Sequence, residues 1–305
     1  MAGSALAALG GVALAVQGRI NGQLGHQLHD GLLAALISFS VGSVLLLVAA
    51  PILPNTRAGF GRLRKALRDR ALRPWQMLGG ACGAFLVTTQ GITVSFLGVA
   101  VFTVATVAGQ VVSSLPVDRA GLGPGGPQPI TLPRAIGASL AVIAVIISVS
   151  DQGAVAASGG LWWAVLPAVA GCGLAWQGAM NGRVRDAAAD VVMPTVVNFL
   201  VGTCALLLAA VVDVIIRGWP ATPPGQWWLY VGGPLGIVTI MTAVAAVRVT
   251  GVLLLGMASV AGQLVGAVLL DVFVPAAGGP SATTLVGIGL TMVAVGIAAI
   301  RVRGR

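Results

Sequence analysis

Among the amide side chains that interrupt the apolar runs of this chain, six come in matched pairs. Gln17 and Asn21 are four residues apart, so they share one face of a helix. Gln177 and Asn181 repeat that spacing 160 positions later, and Gln110 and Gln263 form a third pair 153 apart. An amide inside an apolar helix has two uses. It cross-links helices, contributing about 0.6–2 kcal/mol, or it lines a cavity and hydrogen-bonds a solute, and the two are compatible. Asn198, matched by Ser38, poses the same choice. Trp176 precedes Gln177 and stands deeper than an interfacial aromatic, either as packing or as a cavity wall.

Charge is scarce where coupling chemistry would need it. Asp118 and Asp271 end two apolar runs as another matched pair. A carboxylate there either is a solvated helix end or exchanges protons with a cavity. Bond-breaking chemistry has no residues to run it: there is no HExxH, GxSxG or P-loop, and Asp118 and Asp271 are expected on opposite membrane faces. Cys82, Cys172 and Cys204 each sit in an apolar run, without a CxxC, and read as packing residues rather than metal ligands. His26 and His29, beside Asp30, read as surface residues.

The elements that carry these residues follow from composition. Of 305 residues 57% are hydrophobic and 8% charged, so the bilayer must be the solvent for most of the chain. The net charge of +9 does not imply nucleic acid, because the cations sit between apolar runs, where they set orientation. Ten runs are long enough to span: about 4–22, 32–53, 75–96, 98–117, 132–150, 161–180, 192–216, 226–247, 250–270 and 283–301. The third and fourth are nearly continuous, as are the eighth and ninth; Gly91, Gly98 and Gly251 permit tight hairpins there. The first run lacks a basic leader and its pattern recurs in mid-chain, so it reads as a structural helix and not a signal peptide. With the N-terminus in the cytoplasm, 15 of the 17 Lys and Arg residues fall on cytoplasmic connections, against Arg19 and Arg217 outside. The expected topology is therefore N-in and C-in. The basic segment 54–74 reads as a topogenic loop or as an interfacial helix. Arg248 reads as a topology signal, with attraction of an anionic solute as its other use.

The chain is two related halves, 1–151 and 152–305. Residues 6–22 and 166–182 are identical at nine of seventeen positions, and Phe39/Phe199, Gly42/Gly202, Gly79/Gly232 and Gly83/Gly236 continue the match. Five spans per half is an odd number, so the second half enters from the opposite side. The fold class is thus an all-α integral membrane protein of ten transmembrane helices in two inverted-topology five-helix repeats. Such a repeat suits alternating access.

Gln17-Gly18-Arg19-Ile20-Asn21-Gly22-Gln23-Leu24-Gly25 resembles the signature of the YdcZ-type inner-membrane transporters of the drug/metabolite transporter superfamily. Ile37-Ser38-Phe39, Val41-Gly42, Ala108-Gly109-Gln110 and Asp118 are also similar to that family. The resemblance implies a fused ten-helix form of a five-helix unit, working as a monomer or a homodimer in the bacterial inner membrane. It implies a secondary transporter, not an enzyme, that exports a small metabolite or toxic compound without a cofactor. Small multidrug members of the superfamily use a Glu in the first helix; no acidic residue lies in the first or sixth run here. The solute path is expected at Gln17, Asn21, Gln110, Trp176, Gln177, Asn181, Asn198 and Gln263. A passive channel and a structural or regulatory membrane subunit are the competing readings.

Overall fold

The structure, a computed structural model, describes residues 2–150, 161–218, 222–274, 280–298 and 300. The expected boundary at 151–152 lies outside the described residues, as does the side chain of Arg248. The described residues hold helices and turns and no strand. In order they are α1 (Ala2–Leu28), α2 (Gly31–Ala49), α3 (Pro54–Arg68), α4 (Gly79–Arg119), α5 (Leu132–Ser150), α6 (Leu161–Ala188), α7 (Met193–Arg217), α8 (Gly232–Phe273) and α9 (Ala282–Ala298).

The repeat is written into local structure as well as sequence. His29 (φ 51°) and Ala189 (φ 47°) both take the left-handed conformation at the end of a helix. Each is followed by a capping aspartate. The Asp30 carboxylate accepts from the backbone N–H of Leu32 (2.8 Å) and Leu33 (3.0 Å), and that of Asp190 from Val192 (2.9 Å) and Met193 (2.7 Å). Both caps satisfy N–H groups that a helix start leaves free. One-turn helices at Pro74–Met77 and Trp227–Tyr230 precede α4 and α8 alike.

At 1.5 Å per residue a straight helix of 41 residues would reach about 60 Å, twice the apolar thickness of a bilayer. α4 is instead broken at Gly98, where φ is 78° and ψ 160°. Gly98 alone is the hinge. Gly91, also expected to serve a hairpin, stays helical and lets α4 approach Gly25 of α1 and Gly31 of α2. The hairpin expected at Gly251 falls on residues of α8 whose surroundings are not described.

α4 is the centre of the bundle and α7 its rim. The most apolar window of Pro74–Arg119 is 83% buried, that of Met193–Ile216 only 17%. Leu208, Val211, Ile215 and Ile216 of α7, and Val44, Leu47 and Val48 of α2, point outward as a lipid-facing surface would. Trp162, Trp163 and Trp227 are exposed near helix starts.

The halves pack by exchanging equivalent surfaces. α1 lies against α8, and α6 against α4. Gly262 of α8 meets the Ala8 carbonyl of α1, and Gly109 of α4 meets the Ala168 carbonyl of α6. α2 meets α7 across the pseudo-two-fold: the Phe39 and Phe199 rings are 5.0 Å apart, and the Ser43 and Thr203 hydroxyls 2.7 Å.

One expectation needs correction, and one is refined. The first helix does not end at 22 but continues to Leu28, so Arg19 is not on an outer connection; it is a helix residue, 8% exposed. Of the two readings of the 54–74 segment, the helical one agrees with Pro54–Arg68, and the structure adds a docking contact. α3 docks on the α6–α7 turn, where the Thr56 hydroxyl donates to the Asp190 carboxylate (3.3 Å) and Arg62 Nε to the Ala188 carbonyl (2.5 Å). Gly59 sits against Met193 and Asp190.

Candidate functional site

Each half offers a glycine notch that the other half's amides fill. Gly79 and Gly83 have the GxxxG spacing, as do Gly232 and Gly236, which usually brings helix backbones together. Here the missing Cβ atoms make room for side chains. A Cβ at Gly83 would lie 3.0 Å from Gln177 Nε2, and one at Gly236 would lie 2.9 Å from Gln17 Nε2. Gly79 faces Asn198, Gln177 and Asn181; Gly232 faces Asn21 and Ser38. The sequence-matched amides thus occupy equivalent places, one set near each end of the bundle. Phe39 and Phe199 lie between the sets, Phe39 against Gly83 and Phe199 against Gly236.

The set containing Asn21 is sealed. Gln17, Asn21 and Ser38 are buried, and Gln90 of α4 joins them; Asn21 Nδ2 donates to Gln90 Oε1 at 2.8 Å. Asn21 Oδ1, Ser38 Oγ and Gln90 Nε2 are buried with no hydrogen-bond partner among the described residues. Three unsatisfied polar atoms in one cluster are costly, at about 1–3 kcal/mol each. Gln90, Gly18 and Gln263 also border a small, partly open cavity with room for about one water molecule. Sequence reasoning missed Gln90. Its counterpart at the same offset is Ala243, so the repeat led past it.

The set containing Asn181 is more open. Gln177 and Asn198 are buried, but Asn181 is half-buried and Gly178 is exposed, with nothing within 4 Å of where a Cβ would stand. Asn198 Nδ2 donates to Asn181 Oδ1 at 2.7 Å. Trp176 stacks on Trp75 at 6.4 Å, which makes it a side wall. Gln110 is half-buried, with its backbone near Gly171, and makes no side-chain hydrogen bond among the described residues. The loop Gly121–Pro127 crosses beside this set: Pro124 packs on Gly182, and Arg183 donates to the carbonyls of Gly121 (2.8 Å) and Leu122.

The two carboxylates, equivalent by sequence, have different surroundings. Asp118 is partly exposed and pairs with Arg134 at the start of α5. Asp271 is not a solvated helix end: it is 4% exposed. It accepts from the backbone N–H groups of Val99 (3.1 Å) and Ala100 (2.7 Å), the start of the helix that resumes after Gly98. That position combines unpaired N–H donors with the positive end of a helix dipole. The Arg19 guanidinium is close enough to act electrostatically on Asp271. Two buried groups of opposite sign, Arg19 and Asp271, thus lie within electrostatic reach of one another near the sealed set, where the sequence suggested no charge clearly in mid-helix.

The arrangement groups polar side chains that can hydrogen-bond inside an otherwise apolar bundle. It has hydrogen-bonding amides at two depths, an aromatic pair between them and one buried carboxylate. The sequence pattern of the family described as "Putative inner membrane exporter, YdcZ" matches the chain twice, over residues 2–147 and 162–299. A search of the curated proteins found no match to the chain.

Proposed function

The chain belongs to this YdcZ family of inner membrane exporters, and from that premise we propose that it is a ten-span secondary transporter exporting a small organic solute by alternating access. It is a multi-pass protein of the inner membrane, a transporter rather than an enzyme. One observation carries the mechanism: the same amide-on-glycine set is built twice, sealed at one end and open at the other. Exchange of the two arrangements between halves would open the sealed set and close the open one. In the N-in, C-in topology the open set faces the cytoplasm. Arg19 now lies within α1, which leaves Arg217 alone among the cations on the outer connections.

In this reading Gln17, Asn21, Ser38 and Gln90 receive the solute on the outer side, and Gln177, Asn181 and Asn198 on the inner side. Phe39 and Phe199 separate them. Trp176 walls the inner set, Gln263 the outer cavity, and Gln110 contributes to the inner half of the path. Asp271 is the carboxylate we assign to proton coupling, because Asp118 is held by Arg134 outside the amide sets. The fused repeat supplies both halves, so one chain suffices for the cycle.

Asn181→Cys is expected to react with a membrane-impermeant maleimide from the cytoplasmic side about tenfold or more faster than Asn21→Cys does from the outer side. That ratio corresponds to a difference of about 1.4 kcal/mol in opening. Equal labelling rates would remove the sealed and open assignment. A thermal-shift screen of metabolites on the purified protein supplies the solute for a transport assay in proteoliposomes. There Gln17→Leu combined with Gln177→Leu is expected to cut transport at least about tenfold while leaving the protein folded. Unchanged transport would reduce the amides to helix cross-links.

A further inference from the structure

We propose that the end of the bundle carrying α3 holds a binding site for a phosphate group, formed between α3, the Gly121–Pro127 loop and the end of α6. A cavity of about 520 Å³ lies there, within the range of small-ligand sites. Arg62 and Lys65 of α3 line it together with Arg183 of α6, and Pro124 forms part of the wall. None of these residues belongs to the amide sets, so the inference stands apart from the solute path.

The two guanidiniums are fixed in place without being neutralised. Arg62 donates through Nε to the Ala188 carbonyl (2.5 Å) and through Nη2 to the Asn55 carbonyl (3.2 Å). Arg183 donates through Nε and Nη2 to the carbonyls of Leu122 and Gly121. A carbonyl oxygen carries no net charge, so each fork is held with its full positive charge and with N–H groups to spare. Lys65 is exposed, and its ammonium has no hydrogen bond or ion pair among the described residues.

Two carboxylates, Asp69 and Asp186, also line the cavity. Each already faces the arginine that precedes it, Asp69 at 3.3 Å from Arg68 and Asp186 at 4.0 Å from Arg185. The lining therefore carries three cations against two carboxylates, a net positive charge, and each carboxylate also has an arginine outside the cavity beside it. The three cations come from two helices, and the loop fixes one of them. A planar carboxylate engages one fork well, whereas tetrahedral phosphate oxygens accept from several donors at once. The volume exceeds that of inorganic phosphate and suits a phosphate ester. Two sources share that chemistry. One is the headgroup of an anionic lipid, which the exposed Leu53 and Phe60 beside α3's cations would favour. The other is a soluble phosphate ester of the cytoplasm.

Thermal unfolding of the full chain in a neutral detergent tests the site with two probes, dihexanoyl phosphatidylglycerol and glycerol 3-phosphate. At least one is expected to raise the midpoint saturably, beyond sodium chloride of equal ionic strength. Lys65→Gln is expected to weaken that effect about tenfold, the loss of one charge-assisted contact. Arg57→Gln removes an equally exposed cation of α3 that does not line the cavity, and is expected to leave the effect intact. A stronger response to the lipid identifies a headgroup site; an equal response identifies a soluble ester. The proposal is overturned if neither probe exceeds the salt control. It is equally overturned if Arg57→Gln and Lys65→Gln weaken the response alike, since the attraction would then be diffuse.

Discussion

Asp271→Asn is expected to destabilise the protein by about 3 kcal/mol or more, and adding Arg19→Met to recover at least half of that loss. Asp271 is almost inaccessible to solvent and accepts two backbone N–H groups at the restart of α4. An asparagine oxygen still accepts there, so the cap survives in part. What disappears is the negative charge that acts on Arg19, which is itself buried. Removing one partner of a buried pair typically costs about 3–5 kcal/mol, because the other charge is left uncompensated. Replacing Arg19 by methionine, of similar length and without charge, removes that penalty. Unfolding in detergent with increasing denaturant would read the cycle. If the double variant is as unstable as the sum of the single ones, the two charges are independent and the coupling is absent. The same variant probes mechanism. If Asp271 couples transport to protons, the double variant is expected to move solute without responding to a pH gradient. A preserved response would take that role away from Asp271.

Gly109→Val and Gly262→Val are expected to damage the fold equally, by about 3 kcal/mol each, because they are one contact seen twice. A Cβ at Gly109 would meet the Ala168 carbonyl, and one at Gly262 would meet the Ala8 carbonyl. Neither obstacle is a flexible side-chain end, so whole helices must separate, α4 from α6 in one case and α1 from α8 in the other. Gly289→Val on α9, where nothing lies within 4 Å of an added Cβ, is the control. It is expected to fall within about 0.5 kcal/mol of the parent protein. A large loss at one of the paired glycines with none at the other would show that the halves do not pack as equivalents.

Hydropathy was enough to read the chain as helical with apolar runs, and self-similarity to read the two stretches that the family pattern matches separately. An apolar run of about twenty residues has few other ways to satisfy its backbone in lipid. The amides at 17, 21, 177 and 181 were legible because the repeat marks them twice. The same logic hid Gln90, a residue present in one half only. Arg19 was misplaced because Asn21, Gln23 and His26 lower the hydropathy after position 20, while Gly18, Gly22 and Gly25 let α1 continue against α4. Asp271 looked like a helix end because sequence does not say what stands beside an end; the start of the second half of α4 stands there. The docking of α3 was illegible for a related reason. Basic residues dominate its composition, but Thr56 and Gly59 make the contact.

α3 belongs to the first repeat and is fastened to a turn of the second. Among the described residues, the equivalent connection after α7 holds only the short turn Trp227–Tyr230. Two arrangements related by perfect two-fold symmetry would have equal energies, and a population would divide evenly between them. A weld on one face lifts that degeneracy. A difference of only about 1 kcal/mol turns an even division into roughly five to one. In the proposed cycle, the pose in which the molecule waits would then be decided by a segment outside the amide sets. Sequence drift in α3 would retune the cycle's idle state while leaving its selectivity alone.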